Sequence, residues 1–277
     1  MTHSDELRRM KELAERVLSA GCYKPTADTH YRIIKYPPID LDLDAPAPIT
    51  KRSGPEEPPV VLIDLKQPSW SSKNSALKYC TTAKVLYEAA KAKEIPFHVS
   101  MTEILRSIDC RLAEILFYCG IYPENHWNNP RRQLSWSKKL EIVKVVLPKS
   151  IIPITLLRDL SQTRNITEHQ FYEPTRQEVV KCREMMDAVI EMTNGLLDIL
   201  FSESVFKYQI DDTDALVAMQ IMRENGSLLV MNDDEVPTLR QGIPANEELG
   251  LRLINKLLHE IKFHLDNDPN FKKKLGF

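Results

Sequence analysis

Arg164, Asn165 and His169 stand close together in LLRDLSQTRNITEHQFYEPTRQ, residues 156–177. Those residue types suit one reaction: attack of a ribose 2′-oxygen on the neighbouring phosphodiester, with departure of the 5′-oxygen. An imidazole of near-neutral pKa can take or give the proton. A guanidinium stays cationic and offers a planar fork to phosphate oxygens while charge redistributes over them. The Asn165 amide can orient either group by a hydrogen bond. This division of labour requires neither metal nor cofactor, and the sequence leads us to expect none.

The elements must then bring these residues together. On an unbroken helix, Arg164 and His169 point about 140° away from each other. They converge if the helix frays near His169, which Pro174 would allow, or if two protomers pool their residues. A structural reading competes: Arg164 in a surface ion pair, and His169 capping the last carbonyls of its helix. The chain also carries its own control, because Arg252 and His259 share a similar spacing, but Leu253 follows that arginine inside an amphipathic helix.

A second group is NNPRRQLSWSKK, where Arg131, Arg132, Lys138 and Lys139 accompany Trp127 and Trp136. Cations could meet RNA phosphates and the indoles could stack on bases. A solvated loop and helix start is the plainer alternative. The C-terminal FKKKLGF reads as a solvated tail. His259 and His264 are not spaced to share one helical face, so they do not suggest a metal pair.

Periodicity supplies the scaffold. Residues 5–20 predict an amphipathic helix capped by Ser4, and 37–59 a proline-rich arm or linker. VVLIDL at 60–65 reads as a strand, and 74–93 as a helix ending before Pro96. SMTE then predicts a capping box, with Ser100 as the cap and Glu103 as its partner, ahead of a stripe through Ile104, Leu105, Ile108, Leu112, Ile115 and Leu116. Further helices are expected from Ser135, from the IIPITLL segment with Pro153 in its first turn, and over about 175–202. Four helices with short joins suggest an antiparallel bundle. After 203 the pattern turns to strands, with Asn225-Gly226 expected as a two-residue type I′ hairpin turn. A last helix is expected with Pro244 in its first turn and Asp268-Pro269 beyond it.

The totals restrict the class further. The chain has 277 residues, a formal net charge of -2, 43% hydrophobic and 27% charged residues. Its five cysteines form no paired zinc spacing, and its eight glycines form neither a P-loop nor a dinucleotide fingerprint. No apolar run approaches the ~18 residues of a membrane span, and the charged N-terminus has no signal-peptide pattern. A soluble, cytoplasmic protein without membrane contact is the expectation.

Over residues 99–202, RNITEH at the end of one helix, followed by a long helix, resembles the HEPN family. That family's signature is an arginine, then usually a polar residue, then a histidine four to six positions beyond the arginine. The resemblance implies a mainly α fold, a HEPN-like antiparallel bundle, here with a small antiparallel β-sheet element and flanking helices. It implies a homodimer sharing one cleft and acting on RNA as a metal-independent endoribonuclease, often a toxin, defence or stress effector. It assigns phosphate binding to Arg164, orientation to Asn165 and acid/base work to His169. A regulatory or antitoxin protein is an implied partner, although Phe171 stands where one branch of the family has a tyrosine. The alternative is a catalytically inactive HEPN-like module binding RNA or protein. The expected domains are 1–98, 99–202 and 203–277.

Overall fold

A computed structural model describes residues 3–19, 76–122, 133–149, 151–152, 154–169, 172–201, 205–209, 216–232 and 242–267. The proline-rich arm, the strand expected at 60–65, the basic tail, Asp268-Pro269, and Cys22, Trp127, Arg131, Arg132, Pro153 and Phe171 lie outside the described residues. The described residues form a mostly helical structure with one small antiparallel sheet.

The first helix, α1 (His3–Ser19), buries Met10, Leu13, Ala14 and Val17 along one stripe. Helix α2 (Ala76–Lys91) buries Ala76, Cys80, Ala83, Tyr87 and Ala90 at alternating four- and three-residue steps. Its small alanines permit close packing against α3 (Phe97–Tyr118). It ends, as expected, before Pro96, with Lys93 in the left-handed region at φ 64°.

Helix α3 is the hub: it packs on α2, on α4 (Trp136–Val146), on α5 (Ile154–His169) and on α6 (Arg176–Phe201). The expected stripe is buried in full, and the burial extends round the helix to Arg111 and Glu114. The Ser100 cap, however, is not formed. The helix starts at Phe97, and the His98 backbone N–H donates to Glu173 Oε1 at 3.3 Å. Ser100 is instead fully buried and donates to the Ala83 carbonyl of α2 at 3.4 Å. A carboxylate far along the chain thus serves the first turn, so the local serine is released for packing. The other end is a Schellman stop: Gly120 at φ 71°, Ile121 N–H to Leu116 O at 2.9 Å, and Gly120 N–H to Phe117 O at 2.8 Å.

Ser135 caps α4 as expected, accepting the Lys138 N–H at 3.3 Å. A capping box not among the sequence expectations opens α6. The Thr175 hydroxyl accepts the Glu178 N–H at 3.3 Å, and Glu178 accepts the Thr175 N–H at 2.7 Å. Hydrogen bonds from the Thr175 backbone and hydroxyl hold the Glu178 carboxyl below its ordinary range. Its folded pKa is the lower one, so this contribution is present above the unfolded value and is lost as pH falls through the folded one. Thr175→Ala should destabilise the protein by about 1 kcal/mol at neutral pH. Urea titrations at pH 7 and in the acid range should show that difference shrinking with acidity; a constant difference would refute the cap.

The chain then forms β1 (Val205–Gln209), β2 (Leu216–Met222), β3 (Ser227–Asn232) and β4 (Ile243–Pro244), in the order β1-β2-β3-β4. The β2–β3 connection corrects the expected two-residue turn. Met222 pairs with Ser227, so Arg223 to Gly226 all lie in the loop, and of Asn225 and Gly226 only Gly226, at φ 70°, has a positive φ. A type I′ turn needs both central residues there. Pro244 is a second correction: it pairs with Ser227 in β4, and the last helix, α7 (Glu248–Asn267), begins later. Proline carries no N–H and so suits the outer strand of a sheet. Gly250 lets α7 approach β4, since a Cβ there would lie 2.2 Å from the Pro244 carbonyl oxygen.

One hydrophobic core runs from Met10 of α1 through α3 and α6 to Ile261 of α7, joining all three expected segments. No helix among the described residues is long and apolar enough to cross a membrane.

Candidate functional site

The continuity of α5 decides how its motif is displayed. Helix α5 is continuous from Ile154 to His169, so the fraying that would let one chain converge on itself does not occur between Arg164 and His169. The two positions stay about 140° apart around the axis. His169 ends the helix, and its side chain lies outside the described residues.

Arg164 is half-buried, with Cζ 5.1 Å from the centroid of the Trp136 ring. Trp136 is itself only 6% exposed, and its indole N–H donates to Ser161 Oγ at 2.7 Å. Ser161 and Arg164 are one turn apart, so both reach the same neighbour on α4. The cation over the indole face contributes about 0.5–1 kcal/mol at such a partly exposed site. Asn165 is exposed. The Arg164–Trp136–Ser161 arrangement joins two candidate groups that the sequence presents separately; the signal available was the helical spacing of 161 and 164.

The basic group is divided by the fold. Lys138 is exposed and pairs with Glu141 at 3.1 Å. Lys139 is buried, its ammonium 2.9 Å from Asp109 of α3. Trp136 and Lys139, expected as RNA contacts, therefore meet protein neighbours, because α4 turns both toward the body of the molecule. Arg131 and Arg132 lie outside the described residues. The control arginine, Arg252, pairs with Glu15 at 3.3 Å across α7 and α1.

The other face of α5 borders a groove of about 180 Å³ against α3 and α6. Thr163, Ile166 and Thr167 form one wall, with Tyr172, Lys181 and Met185 opposite. Thr163 stands roughly 100° round the helix from Arg164, which separates groove and motif. Burial pushes the Cys182 thiol in this groove up, so it stays protonated and unsuited to nucleophilic attack.

Near the end of α5, His98 Nδ1 and Glu173 Oε2 are 2.5 Å apart. Burial is the largest single influence and raises the Glu173 carboxyl, but the hydrogen bonds and charge of His98, with a hydrogen bond from the Phe97 backbone, together hold it below the ordinary range. Two histidines from distant parts of the sequence thus border the α5–α6 connection, one at the start of α3 and one at the last position of α5.

No protein-family model, curated protein or solved structure matches this chain.

Proposed function

We propose that this protein is a metal-independent endoribonuclease of HEPN type, whose cleft forms between two copies of α5. The carrying observation is the unbroken helix to His169, which keeps the arginine and histidine positions on different sides of one chain. A shared cleft would let Arg164 of one copy work beside His169 of its partner. Arg164 would hold the phosphate, Asn165 would orient, and His169 would move the proton between the 2′-hydroxyl and the 5′-oxygen. The products would be a cyclic phosphate and a 5′-hydroxyl.

Mixing tests the shared cleft. Arg164→Ala and His169→Ala proteins should each be inactive alone. Random reassortment makes about half the dimers mixed, each with one intact site of two, so cleavage should return to roughly a quarter of wild type. If the mixture stays inactive although exchange is verified by size-tagged copies, the cleft is not composite.

The guanidinium over Trp136 favours a second reading, an inactive RNA-binding or protein-interaction module in which Arg164 braces α5 on α4. In that case wild type cleaves nothing, and binding survives His169→Ala.

A further inference from the structure

A recess of about 270 Å³ opens between α2, α3 and the beginning of α4, well apart from the Arg164 motif in its lining. Tyr79, Arg106, Asp109, Tyr122, Gln133 and Lys139 face it. One of its lining residues is Lys139, which the sequence offered as an RNA contact.

Lys139 is 7% exposed, and its one hydrogen bond among the described residues is the 2.9 Å donation to Asp109. An ammonium carries three donors, and burying it is unfavourable unless they are satisfied. An apolar pair would hold α3 against α4 equally well. A buried cation with donors to spare on the wall of a recess is instead prepared for an oxyanion. Arg106 stands at the same recess, with Glu103 2.5 Å from its Nη1 and no other pairing of the guanidinium among the described residues. Lys139 and Arg106 each pair with one carboxylate, Asp109 and Glu103, and each keeps N–H donors beyond that pair for an anion.

The rest of the lining suits the body of a small molecule. Tyr122 is fixed by accepting the Leu134 N–H at 3.2 Å, and burial pushes its phenol up, so it remains neutral. Tyr79 adds a second ring, and Gln133 adds an amide that can donate and accept.

We propose that this recess binds a small organic anion, its phosphate or carboxylate held by Lys139 and Arg106 and its body set against the Tyr79 and Tyr122 rings. The site is independent of the ribonuclease reading, since neither Arg164 nor His169 lines it.

Phenyl phosphate and benzoate, titrated calorimetrically into the full chain, test the proposal and separate the two anion types; benzyl alcohol is the neutral control. Saturable binding of at least one anion is expected, weakened tenfold or more by Lys139→Met and several-fold by Arg106→Ala. Arg106 is exposed, so that second variant keeps the test valid if Lys139→Met does not fold. Absence of saturable binding of both anions, equal binding in the variants, or equal binding of benzyl alcohol overturns the proposal.

Discussion

His169→Ala should abolish RNA cleavage, lowering the rate ~100-fold or more, while EDTA leaves the wild-type rate unchanged. General acid–base catalysis contributes about 10²–10⁴-fold, and alanine cannot replace the transferred proton. His169 is a cleaner probe than Arg164, whose guanidinium also packs on Trp136, so that Arg164→Ala confounds catalysis with the bracing of α5. The measurement is cleavage of an end-labelled structured RNA by purified protein, with product ends mapped. Cyclic phosphate ends from wild type alone support the scheme. Equal cleavage by the variant removes His169 from the chemistry, and loss of wild-type activity in EDTA removes the metal-free mechanism.

Glu114→Ala should destabilise the fold by about 3–5 kcal/mol, the range for breaking a buried ion pair. Glu114 is 5% exposed and Arg111 4% exposed. One Glu114 oxygen accepts the Ala76 N–H at 2.8 Å, serving the start of α2, and the other lies 3.3 Å from Arg111 Nη1. Arg111 also donates to Asn194 Oδ1 of α6 at 3.0 Å, so the pair ties α2, α3 and α6 together. Removing the carboxylate leaves a buried cation short of its counter-charge and a helix start short of its acceptor. Urea denaturation should show the midpoint falling with little change in slope. Arg111→Met combined with Glu114→Leu should recover much of the loss, since the uncompensated charge is then gone. A Glu114→Ala loss below about 1 kcal/mol would show that the pair does not hold this junction.

Most of the helices could be read directly from the sequence. Apolar residues at three- and four-residue steps place α1, α3 and α6, because a helix that buries one face must repeat its apolar side chains at its own period. Ser135 and Pro96 mark ends through local backbone chemistry. The Thr175–Glu178 capping box is equally local, in the TRQE that opens α6. Strands β2 and β3 followed from their apolar runs, but β4 did not, since two residues carry no period.

The candidate site divides in the same way. The composition of the Arg164, Asn165 and His169 group is local and visible, as is the 140° separation once α5 is known to be unbroken. The sequence by itself determined the helices, their buried stripes and the residue types available for chemistry, because these depend on neighbours within a turn or two. Only the tertiary structure decided that Glu173 would start α3, that Arg164 would lie on Trp136, and that Lys139 would turn inward to Asp109. Each joins residues on different elements, and no period along one segment records which side chains packing will bring opposite it.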